Sequence, residues 1–193
     1  MENLCVFCGS QFGNRPEYEV AARLLGLELA GRGIRLIYGG GRVGLMGVVA
    51  DAVMAAGGEV VGVIPEFLMQ KEIGHVGLTE LHVVDSMHSR KAKMAELADG
   101  FVALPGGFGT FEEFFEVLTW AQLGMHNKPV GLLDVADFYL PMVAFLRHSA
   151  TQGFIRNDHL SLIVHAREPE DLIQRLSGYQ AVTVPKWLDR AGA

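Results

Sequence analysis

The sequence predicts a doubly wound, Rossmann-like α/β fold: one parallel sheet with helices on both faces, in a single domain. Two observations carry this prediction. Short, almost continuous apolar runs alternate with longer stretches of helical period, which is the rhythm of strand–helix–strand units. The runs lack polar alternation, as strands covered on both faces do. The 193 residues, 50% hydrophobic and 20% charged, can build a sizeable core, and this balance excludes intrinsic disorder.

In chain order, strands are expected over residues 4–8, 34–38, 60–64, 81–84, 101–104, 130–133 and 162–164. Helices are expected over residues 17–30, 44–56, 87–98, 111–123, 138–151 and 169–176. Pro16 and Pro169 stand where a first helical turn accepts proline, and Gly31, Gly57 and Gly124 stand where helices stop. The first run, LCVFCGS, contains Cys5 and Cys8. In a strand, positions i and i+3 lie ~10 Å apart, too far for a disulfide. These two cysteines therefore read as small buried hydrophobes. The connection 65–79, with Glu66, Lys71, Glu72 and His75, is the longest without a clear period, and such loops are more often functional than idle. Residues 1–178 are read as one nucleotide-binding α/β domain and residues 179–193 as a C-terminal tail.

Charge narrows the class of ligand. The formal net charge of −6 lacks the concentrated basic surface that a nucleic acid requires. No apolar run reaches the ~18 residues that span a bilayer, and Met1-Glu2-Asn3 lacks a basic secretory start. A soluble, cytoplasmic protein without nucleic-acid or membrane partners is expected. His75, His82, His88 and His126 are scattered, with no ligand spacing for a metal.

Glycine, 24 of 193 residues, clusters at the ends of apolar runs. Three strands end in polar or glycine-rich turns: Cys8-Gly9-Ser10-Gln11, Gly39-Gly40-Gly41-Arg42, and Pro105-Gly106-Gly107-Phe108-Gly109-Thr110. A helix follows each turn, at once or after a short loop. Its first amides lack partners and its dipole favours an anion, while glycine lets backbone approach phosphate oxygens. Loops of this kind on one sheet edge imply a nucleotide-like ligand. Gly39 to Gly44 also fits GxGxxG, but the acidic ribose ligand of a dinucleotide site is missing: Glu59 begins the next strand and Pro65 follows it. No glycine run is followed by Lys and Ser/Thr, so a nucleoside-triphosphate P-loop is excluded.

Asp85-Ser86 reads as the cap of a helix that carries Met87, Arg90 and Lys91 near its start, with no acid before Glu96. Cations there oppose the macrodipole by ~0.3 to 1 kcal/mol each, a cost that a bound anion would offset. A solvated basic face is the plain alternative. Thr110-Phe111-Glu112-Glu113 matches a capping box, with Thr110 as cap and Glu113 reaching back. That leaves Gly106, Gly107 and Gly109 unexplained, and Glu113 would stand within a turn of any sugar phosphate held there.

LPGGFGTFEE, preceded by MHSRK, resembles the PGGxGTxxE and Arg-Lys signature of the LOG (Lonely Guy) family of cytokinin riboside 5'-monophosphate phosphoribohydrolases. LIYGGGRVGLMGVVADAV, GGEVVGVIP and WAQLGMHNKPVGLL are similar to the rest of that pattern, from residue 4 to about 179. One departure is Gln11, where the family often has serine. The resemblance implies hydrolysis of the N-glycosidic bond of an adenosine-type 5'-monophosphate, with Arg90 and Glu113 as the catalytic pair and no cofactor. It implies substrate contacts from Ser10, Gly40, Gly41, Glu72, Met87, Lys91, Gly106, Gly107, Gly109, Thr110 and Thr119. Arg90 would hold the phosphate, the ribose or the departing base. The competing reading is a protein that binds a nucleotide or cofactor without cutting it. An older label on this resemblance, lysine decarboxylase, does not suit Lys91, which beside Arg90 looks like an anion clamp and not a Schiff-base lysine.

The stretch 111–123 is apolar nearly all the way round, as a helix buried on more than one face would be. Besides a central core helix, this fits the symmetric homodimer that the resemblance implies.

Overall fold

A computed structural model describes residues 1–69, 74–75 and 77–181. Its strands are β1 (Asn3–Phe7), β2 (Arg35–Tyr38), β3 (Val60–Pro65), β4 (Glu80–Val84), β5 (Gly100–Ala103), β6 (Val130–Leu133) and β7 (Ile163–Ala166). All pair in parallel, in the order β4-β3-β2-β1-β5-β6-β7. The helices are α1 (Pro16–Gly31), α2 (Gly44–Ala55), α3 (Glu66–Met69), α4 (Met87–Leu97), α5 (Phe108–Gln122), α6 (Leu140–Thr151), α7 (Asn157–Leu160) and α8 (Pro169–Ser177).

The alternation of β1 side chains divides the core in two. Leu4, Val6 and Cys8 join the layer under α1, α2 and α8, while Cys5 and Phe7 join the layer under α4 and α5. Leu4, Leu25, Leu36, Ile37 and Val102 are each 0 to 1% exposed, and burial of each such side chain stabilises by ~1.5 to 3 kcal/mol. Both cysteines are buried free thiols. Burial above all, and then the charge of Glu113, pushes both thiols well above the ordinary range, against the opposing pull of Arg90.

Every predicted strand and helix is present. Two short helices, α3 and α7, and a 3-10 turn over Val135–Asp137 are additional. In that turn Ala136 and Asp137 adopt left-handed φ of 53° and 62°, a conformation with no sequence signal at alanine. The largest correction concerns α5. It begins at Phe108 with Gly107 at the cap and no side-chain cap, so Thr110 is the third helical residue and the capping box does not form. Thr110 is buried and its hydroxyl packs against Gly106, where a Cβ would lie 2.1 Å from it, so the threonine sits inside the first turn and is not free to serve as the cap.

Strand order reverses between β1 and β5, so the loops after these two strands part to opposite faces and open a crevice at their carboxyl ends. The Gly9 N–H donates to the Pro105 carbonyl at 3.1 Å and the Leu45 N–H to the Gly9 carbonyl at 3.0 Å, tying both loops to the start of α2. The long connection after β3 returns to the turn after β2: Gly74 bridges Gly41, the His75 N–H donates to the Gly40 carbonyl at 3.0 Å, and the His75 ring meets Asp51 at 3.0 Å. Among the described residues no helix is long and apolar enough to cross a membrane.

Candidate active site

The crevice holds a cavity of about 250 Å³ lined by Cys8, Gly9 and Ser10 after β1, Met46 of α2, Leu68 of α3, Met87 and Arg90 of α4, and Gly107, Phe108, Gly109, Thr110 and Glu113 of the α5 segment. An apolar chamber of about 280 Å³ adjoins it, sharing Gly9, Ser10 and Gly107 and walled by Phe12, Tyr18 and Phe138. A larger groove of about 510 Å³ lies beyond the ends of β6 and β7, where Arg15 pairs with Glu17 and Arg167 with Asp137.

Arg90 is 5% exposed. Its Nε donates to the Val63 carbonyl at 3.1 Å and its Nη2 to the Gly39 carbonyl at 2.8 Å, while Nη1 lies 3.8 Å from the Met87 sulfur. The carbonyls at the ends of β2 and β3 thus hold a buried guanidinium against the cavity wall, which offsets part of its desolvation cost. Sequence reasoning missed Gly39. A Cβ there would sit 1.9 Å from Arg90 Nη2, so this position must be glycine for Arg90 to reach its carbonyl. Gly40 and Gly41 do not line the cavity. Gly40, with φ of 74°, packs on Ile64 and Val63, so the turn after β2 serves the arginine and the returning loop.

The start of α5 is a different kind of glycine turn. Phe111 makes the first helical bond, to the Gly107 carbonyl at 3.0 Å, and the first turn carries no acidic side chain. Around Gly107 and Gly109 a Cβ would meet nothing within 4 Å, and neither residue has positive φ. Neither packing nor backbone conformation demands glycine at these two positions, and both face the cavity. A helix N-terminus with this approach is suited to a phosphate. Glu113, four residues after Gly109, shares its helix face ~6 Å along the axis. Ser86 caps α4 by accepting from the Ser89 N–H at 3.1 Å, as expected.

The structure brings Arg90, Glu113, Ser10, Met87, Gly107, Gly109 and Thr110 to one cavity, with Gly106 in the adjoining chamber. Lys91 points elsewhere: its ammonium donates to Glu112 and, at 3.0 Å, to Glu116. The missing acid that would offset the basic start of α4 therefore comes from α5. Thr119 lies two turns further along α5, where its hydroxyl donates to the Phe115 carbonyl at 2.6 Å and lines a separate apolar groove with Leu146, Leu160 and Ile163. Glu72 lies outside the described residues. Among the described residues no three His, Cys, Asp or Glu side chains are grouped to hold a metal ion.

A family profile described as possible lysine decarboxylase matches residues 46–176. The cytokinin riboside 5'-monophosphate phosphoribohydrolase of Rhodococcoides fascians is 50% identical over 173 residues, spanning 89% of this chain and 87% of that protein. The chain belongs to this phosphoribohydrolase family. The phosphoribohydrolases also include the LOG protein of Oryza sativa, 49% identical over 91% of this chain and 73% of its own length, and a relative from Arabidopsis thaliana, 48% identical over 92% and 84%. Among solved structures, the molybdenum cofactor carrier protein of Chlamydomonas reinhardtii shares the fold, with a TM-score of 0.70 at 20% identity over 92% of this chain and 98% of that one. The molybdenum cofactor binding protein of Rippkaea orientalis does so at 0.68 and 22%, covering 92% and 97%. In this phosphoribohydrolase chain, Lys91 is unsuited to the decarboxylase label. Burial pulls its ammonium down, but the hydrogen bonds it donates to Glu112 and Glu116 more than offset this and hold its proton above the ordinary lysine range, whereas a Schiff-base lysine reacts as the neutral amine.

Proposed function

We propose that this chain hydrolyses the N-glycosidic bond of adenosine-type 5'-monophosphates, including N6-modified ones, releasing the base and ribose 5-phosphate. The observation that carries the reading is the empty space around Gly107 and Gly109 at the uncapped start of α5, one turn from Glu113. The 5'-phosphate sits on the first α5 amides, with Gly106, Thr110 and Ser10 shaping its seat and Met87 packing on the nucleoside. The anomeric carbon then faces Glu113. As the C–N bond stretches, the carboxylate stabilises the positive sugar and orients water; the water oxygen bonds to carbon, its proton leaves, and the base departs with the bond's electron pair and gains a proton. Arg90, fixed by two carbonyls, supplies the positive charge of the pair. This scheme calls for no metal or cofactor.

The reading includes a cytoplasmic homodimer that uses the apolar groove of Phe115, Leu118 and Leu146, with residues 1–178 as the catalytic unit and 179–193 as a tail. Glu72 and Thr119 are further substrate contacts in this reading. The test is incubation with AMP and with isopentenyl-AMP, followed by chromatography for free base. Release of base supports the reading; binding of both without release leaves a nucleotide-holding protein. A monomeric mass at micromolar concentration would remove the dimer, and loss of activity on deleting 179–193 would remove the division.

A further inference from the structure

The cavity lies between two helices that share β1 and otherwise rest on opposite halves of the sheet. α4 packs on β1 to β4, and α5 on β1, β5 and β6. α4 carries Arg90 and α5 carries Glu113, so the spacing of this pair depends on how the two helices are held across the crevice. Lys91 follows Arg90 and reaches over: its ammonium donates to Glu112, which directly precedes Glu113, and at 3.0 Å to Glu116, nearly one turn on. Its side chain is 11% exposed and that of Glu116 26%. The Lys91–Glu116 pair is therefore partly withdrawn from water, where it is stronger than on an open surface, whereas the Glu112 side chain is 54% exposed and adds less. Lys91 does not line the cavity.

We propose that Lys91 is a positioning residue that ties α4 to α5 through Glu112 and Glu116, sets the separation of Arg90 and Glu113, and does not hold the substrate phosphate. The inference rests on the catalytic reading of Arg90 and Glu113 above. Small displacements of reacting groups cost far more in turnover than in binding.

The test compares Lys91→Met, Lys91→Arg and the double variant Glu112→Gln/Glu116→Gln on isopentenyl-AMP. A tie between helices predicts that Lys91→Met and the double variant each lower kcat about tenfold with KM within about twofold. Lys91→Arg restores most of the loss, and combining all three changes adds little, because they remove one interaction. If Lys91 instead holds phosphate, Lys91→Met raises KM for the nucleotide while the double variant leaves kcat intact; that pattern overturns the proposal. A lowered melting temperature with kcat unchanged overturns it too. A second readout needs no substrate: Lys91→Met should speed amide exchange over residues 108–116 while the strands stay protected, and unchanged exchange refutes the tie. Should the unaltered protein cleave neither nucleotide, the functional reading fails and the exchange experiment still decides whether Lys91 holds the helices.

Discussion

Arg90 Nη2 donates to the Gly39 carbonyl at 2.8 Å, and the space that a Cβ of residue 39 would fill is the space that this nitrogen occupies. The two residues stand 51 positions apart and are fitted to each other. Gly39→Ala must therefore expel the guanidinium from its seat. We expect kcat to fall at least about tenfold, as for a misplaced catalytic group, with the circular dichroism of the fold retained. In an Arg90→Ala background the same change should cost little more, and a full additional loss there would refute the link.

Arg90→Lys should not rescue function. A lysine ammonium lacks the planar fork that meets the Val63 and Gly39 carbonyls together. Turnover within about threefold of the unaltered protein would show that charge alone suffices at this position.

Glu113→Gln should keep nucleotide binding within a few-fold while turnover drops about a hundredfold or more, the usual scale for removal of a charge that acts in the transition state. Calorimetry with AMP and the rate of base release measure the two separately. Near-normal release would leave Glu113 without a chemical role.

Gly109→Ala should move stability and activity in opposite directions. The added methyl meets nothing in the protein and restricts the unfolded chain, so stability should hold or rise by about 0.4 to 1 kcal/mol. It also intrudes on the phosphate seat, so KM for AMP should increase about tenfold, which is ~1.4 kcal/mol of binding. A rise in stability with KM unchanged would place the phosphate elsewhere.

Alkaline pH should destabilise the protein through its two thiols. Burial raises Cys5 and Cys8 in the folded state, whereas the unfolded thiols ionise near ~8.5. Below that value the stability they confer is fully present. Above it the unfolded state loses protons that the folded state keeps, so stability falls with a slope of up to ~1.4 kcal/mol per pH unit for each thiol. Urea titrations between pH 7 and 10 should show this decline, and the Cys5→Ala/Cys8→Ala protein should show a flatter one.

The sheet and its main helices were legible because apolar runs and their punctuation are local: residues 130–133 and 44–56 match β6 and α2 to within one residue. The start of α5 was not, because Thr110 and Glu113 carry a real capping signature that the burial of Thr110 against Gly106 overrides. Arg90, Glu113 and the glycines before it were readable as chemistry. The partners of Lys91, which lie 21 and 25 residues away, and the purpose of Gly39 were not, because both arise only when the sheet brings distant turns to one edge. The turn after β2 looked like a phosphate cradle for the same reason: glycines that admit a ligand and glycines that admit a neighbouring side chain are identical in sequence.

Because β1 lies mid-sheet and pairs with β5 through contacts such as Leu4 with Gly100, a nascent chain that stops short of residue 100 has one flank of its central strand uncovered. Such a fragment presents a flat apolar strand with open amides and carbonyls to any neighbour. Premature termination in the first half of this polypeptide is thus a route to self-association and not to a smaller, partly competent protein.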